Sequence, residues 1–395
     1  MANWSTPAEI VIACARGLAP YAAQEAAALG FGTVSATDTM VAVRGTLADC
    51  MLLNLRLRTA HRVLFPVAAG RCRDLDALHA AVRAAAWEEW LDPDGYFTVS
   101  AAVWNDTVRD TRLPALRTKD AVADRLRQVC GRRPDAGPEF RGAAIFVYWR
   151  GDDLRVYLDT TGEPLSKRGY RKLPWKAPMQ ETLAAACVLA TGWDGATPFV
   201  VPMCGSGTPA IEAALIARRR APGLFRDRFA FMALRGYAAA LWQVLRNEAR
   251  EDERGEGLPP IVATDLDPAA VDVARRNAAA AGVGDLIRFA ACDFADTEVP
   301  PPPGTIFLNP EYGERLGDAA QLAPLYRRIG DFLKQRGAGY RGFVLTGNLE
   351  LSRRIGLRSS RRIAFFNGPI ECRLVGFDLY PGTQRQRKLE APDDP

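Results

Sequence analysis

The sequence predicts an α/β protein, with a doubly wound, mostly parallel sheet in its C-terminal half and a smaller α+β region before it. Three observations carry this. From Glu181 onward, long helical stretches alternate with short apolar strands at 199–201, 261–264, 306–308 and 342–345, the rhythm of parallel crossovers. The first of these strands runs into Gly205-Ser-Gly207 and an apolar helix, a sharp turn at a sheet's carboxyl edge. Before residue 166, shorter strands and helices succeed one another without that rhythm.

The elements follow in order. Residues 9–13 read as a strand, 20–29 as a helix opened by Pro20, and 39–44 as a strand, so 1–60 forms a small α+β domain. Residues 61–165 form a second such module, with helices at 75–90 and 119–130 and strands at 96–103, 144–149 and 154–159. The basic stretch 166–178, broken by Pro174 and Pro178, reads as a linker. The doubly wound domain is expected over 179–380, with a charged Gly/Pro-rich insertion at 246–260, and 381–395 as a flexible tail.

Composition narrows the chemistry. Apolar residues make up 48% of 395 and charged residues 25%, which supports packed cores and rules against global disorder. No run approaches the ~18 uncharged apolar residues of a membrane span, and the N-terminus has no basic start followed by a long apolar run. The expected compartment is the cytoplasm. Eight cysteines never occur as Cys-x-x-Cys and the only histidines are His61 and His79, so neither a metal site nor a disulfide framework is expected. A Ser-His-Asp hydrolase is excluded for the C-terminal three quarters. The net charge of +5 matters less than its clustering: Lys167, Arg168, Arg171, Lys172 and Lys176 stand without an acid between 166 and 176, and 109–133 and 352–362 are also arginine-rich. These clusters are either solvated faces or contacts for a polyanion such as nucleic acid, the latter expected at Lys119, Lys167, Arg168 and Arg171.

Four strand ends carry the candidate site. Met203-Cys-Gly-Ser-Gly207 either lets a nucleotide-like cofactor approach the backbone or is a tight packing turn; the third glycine of the dinucleotide fingerprint is Ala210. Asp265, closing the second strand, is placed to accept two ribose hydroxyls, while Asp267 before Pro268 caps the next helix. Asp293 either meets an adenine amine or is a turn aspartate. At the fourth strand end, Asn309 and the carbonyl of Pro310 offer two acceptors to a planar exocyclic amine, with the Tyr312 ring available to stack on its base. That is the geometry of amino-group methylation, in which positioning and a dry pocket supply most of the acceleration.

With these motifs, the chain resembles the bacterial THUMP-domain class I S-adenosylmethionine-dependent RNA methyltransferases that form N2-methylguanine in 23S ribosomal RNA. The resemblance covers nearly all of 8–380. It rests on Ala15-Arg-Gly-Leu18, Thr118-Lys-Asp-Ala121, Gly131-Arg-Arg-Pro134 and Leu158-Asp-Thr-Thr-Gly-Glu-Pro-Leu-Ser-Lys-Arg-Gly-Tyr-Arg171 in the N-terminal part. In the C-terminal part it rests on Ala177-Pro-Met-Gln-Glu-Thr-Leu-Ala184, 202–208, Arg220-Ala-Pro-Gly223, Thr264-Asp-Leu-Asp-Pro268 and Asn367-Gly-Pro-Ile-Glu-Cys-Arg-Leu374. It implies a ferredoxin-like domain, a THUMP RNA-binding domain and a Rossmann-like catalytic domain. It also implies that Pro178, Thr182, Met203, Cys204, Gly205, Gly207, Asp265 and Asp293 surround S-adenosylmethionine, and that Asn309, Pro310 and Tyr312 hold the guanine.

Two positions depart from the family pattern. Its acid before Pro-Met-Cys-Gly-Ser-Gly-Thr is Val201 here, and its Asn-Pro-Pro-Tyr is Asn-Pro-Glu-Tyr, with Glu311 in place of the second proline. The expected activity is guanine-N2 methylation of 23S rRNA. The alternatives are a tRNA substrate or a catalytically weakened RNA-binding relative; a nicotinamide oxidoreductase has no explanation for the Asn-Pro-Glu-Tyr turn.

Overall fold

Two separate sheets organise the chain, seen in a computed structural model that describes residues 4–106, 108, 110, 112–173, 179–312 and 318–380. The first is built from β1 (Ala8–Cys14), α1 (Ala19–Ala28), β2 (Thr33–Ala36), β3 (Met40–Gly45), α2 (Leu47–Arg56), β4 (Ala60–Arg71), α3 (Leu75–Ala84), α4 (Trp87–Trp90), β5 (Tyr96–Trp104), α5 (Leu113–Cys130), β6 (Asp135–Ala136), β7 (Ala143–Arg150) and β8 (Asp153–Asp159). Its eight strands run in the order β2-β3-β1-β4-β8-β7-β5-β6. The two α+β modules read from sequence therefore share one sheet, joined where the long strand β4 pairs with β1 on one side and β8 on the other.

The helix expected over 75–90 is two helices. The Trp87 indole is fully buried and its Nε1–H donates to the Val82 carbonyl at 2.7 Å, fixing a bend after α3. Behind β8, the run Asp159-Thr-Thr-Gly162 forms a buried polar network. Asn54 Nδ2 donates to Thr160 Oγ1, Thr161 Oγ1 donates to Asn54 Oδ1, and Thr160 Oγ1 donates to the Val63 carbonyl, at 2.8, 2.6 and 2.7 Å. With every partner satisfied, such a network specifies one arrangement of the strand end.

The second sheet takes α6 (Glu181–Ala190), β9 (Phe199–Pro202), α7 (Thr208–Ala217), then, after α8 (Ala239–Glu251), β10 (Ile261–Asp265), α9 (Pro268–Ala280), β11 (Ile287–Ala291), β12 (Gly304–Leu308), α10 (Asp318–Arg336), β13 (Tyr340–Thr346), α11 (Leu349–Arg354), β14 (Arg361–Asn367) and β15 (Ile370–Asp378). Strand order is β11-β10-β9-β12-β13-β15-β14, parallel except for the β14–β15 hairpin, whose β15 runs antiparallel to β13. Numbered within the domain this is 3-2-1-4-5-7-6, with the order reversing between β9 and β12. Helices α6 and α7 are mostly apolar, and nine of the ten residues of each are buried, Glu181 and Glu212 among them.

The sequence places 221–251 inside the C-terminal domain, yet Ala221–Glu251 packs with the first unit. A side chain on Gly223 would lie 2.6 Å from the Leu55 Cα, so only glycine permits this approach to α2. Trp242 of α8 then packs edge-on against Phe229 and Phe231, with ring centroids 5.4 and 5.1 Å away. Residues 246–251, expected in a loop-like insertion, continue α8. The tail 381–395 lies outside the described residues, and among those residues no helix is long and apolar enough to cross a membrane.

Candidate active site

In open α/β sheets, ligands bind beyond the carboxyl ends of the strands where strand order reverses. The loops after β9, β10, β11 and β12 bring Met203–Gly207, Asp265, Asp293 and Asn309–Tyr312 to that edge. After β9 the backbone turns through three left-handed residues, Met203 (φ +62°), Gly205 (φ +54°) and Gly207 (φ +82°). The glycines differ in kind. A Cβ on Gly207 would lie 2.8 Å from the Ala274 Cβ, so this glycine lets α7 and α9 approach, whereas a Cβ on Gly205 meets no atom within 4 Å. Gly205 leaves a cradle that a ligand can enter. Cys204, 5% exposed, donates its N–H to the Thr264 carbonyl at 2.8 Å, and burial pushes its thiol well up.

Asp265 fastens the two loops together. Its Oδ2 accepts the Gly205 N–H at 2.9 Å and its Oδ1 accepts the Asp267 N–H at 3.1 Å. Asp267 caps α9 by accepting from Ala269, as the Asp-Pro pair predicts. Between them Leu266 is 73% exposed, an apolar side chain at a strand end that sequence reasoning passed over. Asp293 caps the short turn 294–296, and both its oxygens accept from Arg328 Nη2 at 2.8 Å. This guanidinium holds the Asp293 carboxyl below the usual carboxylate range.

The turn after β12 is fixed at three points. The Tyr326 hydroxyl donates to the Glu311 carbonyl at 3.2 Å and lies 2.8 Å from Thr346 Oγ1. Asn367 Nδ2 donates to the Tyr312 hydroxyl at 3.0 Å. The Tyr312 ring lies so close to Gly347 that a Cβ there would be 2.8 Å from it. Amid these restraints the buried Asn309 Oδ1 has no hydrogen-bond partner among the described residues. A buried acceptor without a donor is costly, about 1–3 kcal/mol, and marks a place for a donor from outside. Pro310 is buried beside it, and Val201 is buried within β9.

The basic stretch after 166 is corrected by the structure. Arg168 is 1% exposed, and its guanidinium donates to the carbonyls of Arg58 and Leu165, so it is not available to a phosphate. Arg171 pairs with the buried Glu181 at 3.2 Å and donates to the Met179 carbonyl, a structural assignment. The stretch is no free linker either. Tyr170 donates to buried Glu212 at 2.9 Å, and Asn277 Oδ1 accepts the N–H groups of Lys172 and Leu173 while its Nδ2 donates to the Ser206 carbonyl of the glycine loop. Lys167 stays exposed, 3.1 Å from Glu163, and Lys119 shares a surface cleft with Arg133 and Pro134. Thr182 is fully buried in α6, and Pro178 lies outside the described residues.

A sheet of this order, with a glycine turn after its first strand, an acid after its second and an Asn-Pro turn after its fourth, defines a Rossmann-like methyltransferase. Comparison with known proteins agrees. Residues 168–376 match the RMKL-like methyltransferase domain, 9–64 the RlmL ferredoxin-like domain and 72–159 the THUMP domain. The chain is 37% identical over 98% of its length to ribosomal RNA large subunit methyltransferase K/L of Syntrophotalea carbinolica, of which it covers 56%. It thus spans about half the length of the K/L relatives it matches. A Synechocystis protein bearing an RNA methyltransferase name is 34% identical, with 93% of this chain and 95% of that one covered. The crystal structure of SMU.472 in complex with S-adenosylhomocysteine superposes with a TM-score of 0.86 at 30% identity, covering 95% of this chain and 99% of that one. The chain belongs to the RMKL-like methyltransferase family, whose methyl donor is S-adenosylmethionine.

Proposed function

We propose that this protein transfers a methyl group from S-adenosylmethionine to the exocyclic N2 of a guanine in 23S rRNA. The observation that carries the reading is the buried Asn309 Oδ1 at the end of β12, which has no hydrogen-bond partner among the described residues, on a turn fixed by Tyr326 and Asn367. When bound, S-adenosylmethionine supplies an electrophilic methyl on a sulfonium. The residues present fit it: Gly205 leaves open space, and Asp265 retains lone pairs for ribose hydroxyls. Exposed Leu266 offers an apolar wall to the adenine, and Asp293 an acceptor for its amine.

Asn309 Oδ1 and the Pro310 carbonyl accept the two N2 hydrogens, and the Tyr312 ring stacks on the base. An aryl amine delocalises its lone pair into the ring. Two acceptors aligned on its hydrogens favour pyramidalisation and turn that lone pair toward the methyl, so orientation is the main contribution of the protein. Lys119 and Lys167 bind backbone phosphates without reading sequence. Because the guanine must leave its stack, an rRNA loop or partly unfolded assembly intermediate suits the site better than a finished ribosome.

The test is radiolabelled methyl transfer to 23S rRNA fragments and to tRNA, followed by nucleoside analysis. Label in N2-methylguanine from 23S rRNA is expected; label from tRNA alone moves the substrate. A second reading, a silent RNA-binding relative, draws on Val201 and Glu311. Calorimetry separates the two, since a silent relative shows no S-adenosylmethionine binding.

A further inference from the structure

We propose that Asn277 is a positioning residue for the turn after β9 and that, through it, the segment 170–173 braces that turn, so that anchoring of the segment and S-adenosylmethionine binding strengthen each other. This rests on the reading of the turn as the cofactor's seat. The side of α9 that meets the turn is built of alanine: Ala270, Ala274 and Ala278 are buried, and a Cβ on Gly207 would strike the Ala274 methyl. One polar residue interrupts it. Asn277, three residues after Ala274 and 1% exposed, shares that side.

A buried amide is costly unless it is bonded, and this one joins two separate stretches of backbone. Its Oδ1 accepts the N–H groups of Lys172 and Leu173 at 3.1 and 3.4 Å, and its Nδ2 donates to the Ser206 carbonyl at 3.3 Å. Backbone N–H groups only donate and a carbonyl only accepts, so a single orientation of the amide serves both. The bond to Ser206 holds the centre of the turn. The Ser206 carbonyl and the Gly207 N–H belong to one rigid peptide plane, whose N–H donates to the Cys204 carbonyl at 2.9 Å. With Asp265 on the Gly205 N–H, the peptide planes before Gly205 and after Ser206 are both fixed, on either side of the open cradle. The other arm of the amide reaches a segment tied down along its length. Tyr170 donates to the buried Glu212 of α7 at 2.9 Å, and Arg171 pairs with the buried Glu181 of α6 at 3.2 Å, while Lys172 stays exposed. All these residues lie in the second compact unit. Linkage makes the coupling reciprocal: if the anchored segment raises cofactor affinity, bound cofactor favours the anchored segment by the same factor.

Calorimetry with S-adenosylmethionine, and trypsin cleavage after Lys172 followed by mass spectrometry, test this on the full chain. Asn277→Asp keeps an acceptor for the Lys172 and Leu173 N–H groups but sets an oxygen against the Ser206 carbonyl; Asn277→Ala removes both arms. Each is expected to weaken cofactor affinity roughly 2- to 12-fold, the equivalent of one hydrogen bond. Saturating cofactor is expected to slow cleavage after Lys172 in the wild type and to give no such protection in Asn277→Asp. Asn277→Ala is expected to be cut faster even without cofactor; should it fail to fold, Asn277→Asp decides. An Asn277 that merely supports the fold would lower the melting temperature of the free protein yet leave the dissociation constant and the protection unchanged, which overturns the proposal. Equal cleavage of the wild type with and without cofactor overturns it with no variant needed. If Gly205→Ala weakens cofactor binding and the Asn277 variants do not, the brace is overturned and the seat stands. If none of them does, or the wild type binds no S-adenosylmethionine, seat and brace fall together.

Discussion

Gly205 and Gly207, two residues apart, differ in their surroundings: open space at the first, the packed helix α9 at the second. Alanine at 207 places a methyl 2.8 Å from the Ala274 Cβ at φ +82°, so overpacking and left-handed strain act together. Each costs about 1–3 kcal/mol, and Gly207→Ala is expected to lower the unfolding midpoint markedly in denaturant titration. Gly205→Ala bears only the strain and is expected to reduce S-adenosylmethionine affinity in calorimetry more than stability. Asn309→Ala is expected to abolish methyl transfer while cofactor affinity stays within about twofold, since in the proposed reading the removed acceptor meets only the target amine. Unchanged transfer would remove Asn309 from the site. These positions were legible in the sequence because each stands at a strand end where the chain must turn. The commitment of Arg168 to two backbone carbonyls and of Arg171 to Glu181 was not, because a basic run reads alike whether it faces solvent or buried acceptors.

At the scale of elements, the turn after β12 shows how this chain manages without the family's second proline. Proline at 311 would fix φ near −65°; here the buried Tyr326 of α10 holds the Glu311 carbonyl instead. Tyr326→Phe is expected to slow methyl transfer roughly two- to tenfold, the equivalent of one hydrogen bond of about 0.5–1.5 kcal/mol, with little change in cofactor affinity. Glu311→Pro is expected to raise the rate and to restore much of what Tyr326→Phe loses, with a conformational contribution of about 0.4–1 kcal/mol. No rescue in the double variant would show that Tyr326 acts elsewhere. A second link joins β11 to α10 through Asp293 and Arg328. Because the Asp293 carboxyl is depressed in the folded state, its stabilisation is present above the unfolded carboxylate value of about 3.9 and is lost as pH falls through the folded one. Both groups are partly exposed, so the pair is worth about 0.2–1 kcal/mol, and the stability gap between wild type and Arg328→Gln is expected at pH 7, to shrink as pH falls past the unfolded value and to be gone only below the depressed Asp293 value. The alternation of helix and strand was readable here, but the destination of 221–251 was not, since the close approach of Gly223 to Leu55 is a tertiary fact that no local pattern encodes.

For the whole molecule, the parallel rhythm after 181 and the strand-end motifs specified the C-terminal fold, while the fusion of the two N-terminal modules into one eight-stranded sheet depends on β4 pairing on both edges, a long-range choice. RNA binding by Lys119 and Lys167 is expected to be ionic: replacing both with glutamine should reduce the log-log salt slope by about 0.7–0.9 for each phosphate no longer neutralised, without changing which guanine is modified. The most direct measurement is nucleoside mapping of N2-methylguanine in 23S rRNA from cells with the protein, without it, and with Asn309→Ala alone. Loss of one N2-methylguanine in both the deletion and the Asn309→Ala strain, restored by the wild-type chain, is the expected result; an unchanged 23S rRNA methylation pattern in the deletion strain would contradict it.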